Sequence, residues 1–293
     1  MKTQFFGKVL VLCLLITSAK AGALFKDDGP EYDPEKHRAN TELMASQLRH
    51  FLQRNVSRAA IVSRVGSDLS EETFRHPSKQ KFTHAGIVWK SLEDGTWRFK
   101  HMINRGDADP TSKILVHELR EFFDDTPYMY DVYASVPPEE LQDKIAAILE
   151  SKLSLSLHNP RYSKISNPYS TDYQNSNEWV LSVIISAQTG FRSLEKIQTH
   201  YLETKRPSSQ VKISSLKAAG LFFAKLLGGK KNVTLKDHSD EEEVSRWFNF
   251  VSAANLHDYL ARTTTELGPV LTQEICHTKG CDIPLTVINK FDD

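Results

Sequence analysis

Cysteine is scarce in this chain: three among 293 residues, at positions 13, 276 and 281. Such scarcity excludes a small scaffold held by many disulfides and a cysteine-rich zinc fold. Charge of one sign is also missing, with 37 basic residues against 37 acidic ones. A nucleic-acid binder held by bulk electrostatics is therefore not expected. Past the N-terminus no apolar run is long enough to span a bilayer, so the chain is not expected to be transmembrane. Glycine-rich phosphate loops, internal repeats and low-complexity tracts are absent as well, and no cofactor and no bound metal are expected.

What is present begins with an address. Lys2 and Lys8 flank the start of the apolar run Val9 to Ile16, and Ala19-Lys20-Ala21 is a small-x-small cleavage signature. This pattern reads as a secretory signal peptide over residues 1–21, leaving 22–293 as a single mature domain. Export to the periplasm or the medium follows. In an oxidising compartment Cys276 and Cys281 read as a local disulfide closing a turn. A zinc site with His277 as third ligand is the alternative, and it lacks a second ligand pair. No other thiol remains to serve as a nucleophile.

The stretch with most chemical content runs from Tyr173 to Ala187. Trp179, Val180, Val183, Ile184 and Ala187 fall at helical spacing for one buried face. Asn175 reads as the N-cap, and Glu178 three residues on completes a capping box. Ser176 then opens the helix beside unpaired backbone N–H groups and the positive end of the dipole, a place suited to a nucleophile or an oxyanion. An ordinary helix cap explains the same residues.

Upstream, residues 22–36 read as an exposed arm and Leu43 to Leu52 as an amphipathic helix of about four turns. Ala59 to Val65 reads as a strand, with Gly66 permitting a turn after it. Lys81 to Trp89 and Trp97 to Asn104 read as a hairpin around Glu93-Asp-Gly-Thr96. Alternation puts Phe82, His84, Gly86 and Val88 on one face, and Trp97, Phe99, His101 and Ile103 on one face of the return strand. Pro110 to Asp124 reads as a helix, Tyr128 to Val136 as a strand, and Pro137 to about Leu155 as a helix. Residues 159–174 form a loop whose tyrosines 162, 169 and 173 are candidates to line a site. Helices are expected over Leu194 to Leu202 and Leu216 to Leu227, a solvated acidic run at Asp240 to Glu243, a strand over Trp247 to Val251, and a last helix capped by Ser252.

His84 on one strand, His101 on the next and Ser176 opening an apolar helix resemble the circularly permuted branch of the papain-like (NlpC-type) peptidases and amidases. Thr83-His84-Ala85-Gly86-Ile87 is similar to the family's histidine strand, Phe99-Lys100-His101 to its partner strand, and Gln174 to Trp179 to the segment bearing the nucleophile. The resemblance covers about residues 58–190, and the whole mature chain also resembles an exported bacterial family of unknown function. It implies an α+β, permuted papain-like fold, an antiparallel sheet packed on the helix that carries the nucleophile position. It also implies the catalytic set Ser176, His84 and His101, acting on an amide or ester of a cell-envelope peptide or lipid. The family's nucleophile is cysteine, and here it is Ser176. Serine at that position needs a general base during attack, because a helix dipole does not ionise a hydroxyl. An inactive module that binds envelope peptides, glycans or lipids is the alternative function. A purely structural exported protein, with both histidines in its core, stands behind these two.

Overall fold

A computed structural model of the protein describes residues 33–66, 74–75, 82–124, 129–204, 206, 208–215, 232–264, 266–277 and 286–288. The expected signal peptide, the helix at 216–227 and Cys281 lie outside the described residues.

Helix α1 (Pro34–Asn55) starts earlier than the sequence suggested and takes in the end of the expected arm. Asp33 caps it, its Oδ1 accepting the Glu35 and Lys36 N–H groups, and a proline stands at the first helical position, where no N–H is needed. Seven strands then make one sheet in the order β10-β9-β6-β1-β3-β4-β5. They are β1 (Ala59–Val65), β3 (His84–Lys90), β4 (Trp97–Asn104), β5 (Ser112–Glu118), β6 (Met129–Val136), β9 (Val270–Ile275) and β10 (Thr286–Ile288), and every neighbouring pair is antiparallel. A second antiparallel sheet joins β2 (Phe74–Arg75), β7 (Ser209–Lys212) and β8 (Trp247–Phe250). Among the described residues the other helices are α2 (Glu139–Glu150), α3 (Leu153–Ser156), α4 (Ser176–Thr189), α5 (Leu194–Glu203), α6 (Asp240–Ser245) and α7 (Ala253–Thr263).

Both faces of the main sheet are covered. On one, Met44, Leu48 and Phe51 of α1 pack on Ala60, Val62, Val88 and Phe99. On the other, Leu141, Ile145, Trp179, Val183, Ile184 and Leu260 pack on Ile61, Ala85, Ile87 and Met102. Strand β1 is central and buried along its whole length, as its apolar, β-branched composition requires. The hairpin of β3 and β4 packs against α4 as the apolar patterns predicted, giving a mixed α+β protein. The face in contact is the other one, however: Ala85, Ile87 and Met102 meet the helix, while His84, Gly86, Val88, Phe99 and His101 face the α1 side.

Further readings need correction. Residues 110–124 are not a helix. Ser112–Glu118 pairs with β4, from Asn104↔Ser112 to Arg98↔Glu118, and a 3-10 turn follows at Glu121–Phe123. The spacing of Ile114, Leu115, Leu119, Phe122 and Phe123 imitates a helix only because the chain turns between two elements that each bury apolar groups. The free edge of β4 and the β-branched Ile114 and Val116 favour strand pairing. The helix expected to run to Leu155 breaks at Ser151 and Lys152 into α2 and α3. The acidic run is not simply solvated, since Glu242 is buried and accepts the Asn249 and Ser239 N–H groups. The helix after Ser252 is the last one among the described residues, as expected, and the strands β9 and β10, which the sequence did not suggest, complete the sheet beyond it. The turn expected after Gly66 falls outside the described residues; a side chain at Gly66 would meet the Cβ of His84 at 3.3 Å.

Candidate active site

The start of α4 is built as its sequence prescribes. Asn175 Oδ1 accepts the N–H groups of Asn177 and Glu178, each at 2.9 Å, and Glu178 Oε2 accepts the Asn175 N–H at 2.8 Å. Gly190 ends the helix in the left-handed region at φ 76°. Residues 176–187 are buried almost without interruption, so the helix is central rather than peripheral. Asn177 Nδ2 donates to the carbonyls of Thr83 (3.1 Å) and Val251 (3.2 Å), and Asn175 Nδ2 donates to Val251. These bonds pin the helix start to the residue just before β3, and so place Ser176 beside His84.

Ser176 Oγ lies 3.1 Å from His84 Nδ1, and His84 Nε2 lies 2.9 Å from His101 Nδ1. One polar chain thus joins a helix start to two neighbouring strands. Because His84 belongs to the sheet face turned away from α4, its contact with Ser176 joins the two faces at the end of β3. Gly86 lets His101 approach: a Cβ there would sit 2.8 Å from His101 Cβ and 2.2 Å from Phe99 Cε1. Phe122 stacks on His84 at 5.9 Å and on Phe99 at 3.8 Å, closing the apolar wall around the imidazoles.

Electrostatics favour a neutral His84. Burial, and then the Arg64 guanidinium, hold it well below the usual imidazole range. Arg64 is buried at the end of β1, directly across from His84, with its guanidinium over Phe122. A neutral imidazole next to a hydroxyl is what general-base catalysis requires. Behind the site, burial pushes the Glu178 carboxyl up to about 8, against the hydrogen bonds from Ser166 Oγ and the Asn175 N–H.

One expected feature is different. The N–H groups that follow Ser176 are not left unpaired: those of Asn177 and Glu178 are both used by the Asn175 cap. Ser176 itself is only 7% exposed. The candidate tyrosines are engaged elsewhere. Tyr162 is in the core, Tyr169 stacks on Tyr201, and Tyr173 lies under Arg161. His117 is not among the candidates from the sequence, yet its ring lies 5.1 Å from that of His101. Alternation along β5 would have flagged it had that segment been read as a strand. The burial of Arg64 next to His84 is visible only in three dimensions.

Cys276 is buried at the end of β9, and the pairing expected with Cys281 falls outside the described residues. Asp131, Glu274 and Cys276 bring one possible ligand atom each within 4.8 Å of one another, on β6, on β9 and just past the end of β9. In sheet order β6 is two strands away from β3, so the cluster is separate from the His84 site. No described helix is long and apolar enough to cross a membrane.

Comparison with known proteins gives a family and no chemistry. No curated protein and no solved structure matches the chain. One family model matches residues 51–260, a span that contains Ser176, His84, His101 and His117. That span is well over half of the sequence, and the chain belongs to DUF2145, a family described as an uncharacterized protein conserved in bacteria.

Proposed function

We propose that this protein is an exported serine hydrolase that cleaves an ester or amide in the cell envelope, with a site arranged like that of the permuted papain-like enzymes. The observation that carries this reading is the unbroken chain Ser176–His84–His101, at 3.1 and 2.9 Å, drawn from three separate elements. In the reactive arrangement Ser176 Oγ–H donates to a bare His84 Nδ1, and His84 Nε2–H donates to His101 Nδ1. As Oγ attacks the substrate carbonyl, its proton passes to His84 Nδ1. The imidazolium returns that proton to the leaving alcohol or amine as the acyl bond breaks. Water, deprotonated by the same nitrogen, then releases the acid and restores Ser176. The positive end of the α4 dipole favours the developing oxyanion. The signal-peptide pattern expected over residues 1–21 supports an envelope substrate.

The occupied N–H groups of Asn177 and Glu178 favour a second reading, a binding module that has kept the histidines and lost turnover. A fluorophosphonate, which phosphonylates activated serines, distinguishes the two. The hydrolase gives one adduct, on Ser176, absent in Ser176→Ala and in His84→Ala. A wild-type protein that stays unmodified leaves the binding module.

A further inference from the structure

His117 stands on β5 opposite Phe99, on the sheet face that also carries His101. The two imidazoles meet nearly edge to face, with centroids 5.1 Å apart and planes at 67°. His117 Nδ1 is buried and has no hydrogen-bond partner among the described residues. A buried ring nitrogen left in that state carries a desolvation penalty, so its place in a native structure calls for an explanation.

We infer that His117 is a positioning residue of the hydrolase site, setting the tautomer of His101 and through it that of His84; the inference rests on the hydrolase reading. For Ser176 to give up its proton, His84 Nδ1 must be bare, so His84 carries its proton on Nε2. His101 Nδ1 must accept that proton and is therefore bare itself, which puts the His101 proton on Nε2. The opposite assignment satisfies the same two contacts, with His101 Nδ1–H donating to His84 Nε2 and His84 Nδ1–H donating to Ser176. In that state Ser176 is an acceptor and its proton has nowhere to go. A third group has to favour one assignment over the other. With its own proton on Nε2, His117 keeps Nδ1 bare, and this partial negative charge lies in the ring that touches His101. It favours His101 with a proton on Nε2, and it steadies the positive charge that spreads along the chain once His84 is protonated. Outer groups of this kind orient a reactive imidazole in the same way that they orient a metal ligand.

The test reads tautomers directly. Nitrogen-15 NMR of histidine-labelled full-length protein reports which ring nitrogen of each imidazole holds the proton, and fluorophosphonate labelling reports the reactivity of Ser176. The wild type is expected to show His101 protonated on Nε2. His117→Phe, which keeps a ring and removes the nitrogen, should bring in a population protonated on Nδ1 and slow labelling by about tenfold or more. His117→Asn places an amide oxygen near the position of Nδ1 and should keep both properties close to wild type. A wild-type His101 protonated on Nδ1 overturns the inference, as does a His117→Phe protein unchanged in both readouts. Should His117→Phe fail to fold, the wild-type and His117→Asn spectra decide, and an Asn variant with the His101 proton moved to Nδ1 also overturns it. A wild type that never labels removes the hydrolase reading instead, while the tautomer spectra still report on His117.

Discussion

His101 lies across Gly86 so closely that a single added carbon on the glycine would come within 2.8 Å of its Cβ. The neighbouring strand therefore has to leave out a side chain for the histidine pair to form. Gly86→Ala is expected to cost about 1–3 kcal/mol, as overpacking does in a tight core. It should also move His101 away from His84 Nε2. Chemical unfolding measures the first effect, and loss of Ser176 labelling beyond the stability change measures the second. A stable, fully reactive Gly86→Ala protein would contradict the packing described.

Ser176→Cys asks whether the site proposed for the serine also suits a thiol. A thiol at a helix N-terminus beside an imidazole ionises readily. The variant is expected to react with iodoacetamide faster than a free cysteine at the same pH, and His84→Ala should remove that excess. A Ser176→Cys thiol with an ordinary rate, indifferent to His84, would mean that no reactive pair is assembled.

The depressed His84 sets a direction for pH dependence. Between its folded value and the ordinary imidazole value near 6.5 the unfolded chain binds the extra proton, so stability rises with pH there. This contribution is complete above 6.5 and is lost as pH falls through the folded value. Ser176 labelling should accordingly persist well into the acid range. Arg64→Gln removes a cation beside the ring, and a proton NMR titration should place the His84 midpoint closer to 6.5. An unmoved midpoint would leave burial as the sole cause.

Glu178 acts in the opposite sense. Its folded value of about 8 lies above the ordinary 4.5, so the native protein keeps a proton that the unfolded chain has released. Stability should fall as pH rises from 4.5 to 8, by at most a few kcal/mol. Glu178→Gln keeps an oxygen for the Asn175 N–H and has no charge to bury. Urea midpoints at about pH 5 and about pH 9 should show the variant gaining on wild type at the higher pH. A constant difference between the two proteins would place the Glu178 titration outside this window.

Local rules fixed much of what can be read without coordinates. The cap at Asn175, the capping box with Glu178 and the helix through Ala187 follow from side chains that bond within one turn, so neighbours in sequence suffice. The hairpin is legible for the same reason, since alternation and a four-residue turn specify β4 to the residue, while β3 starts at His84, three residues later than expected. Residues 112–118 were not legible. Their apolar spacing fits either period, and only the open edge of β4 makes them a strand; with that strand His117 came into place beside His101. The sheet face that carries the histidines was likewise decided by tertiary packing, because alternation separates two faces without saying which one a helix will cover. Sequence order brought Ser176, His84 and His101 under suspicion. Their meeting depends on Asn177 holding the Thr83 carbonyl and on a glycine that leaves room, which are contacts between segments that no local rule connects.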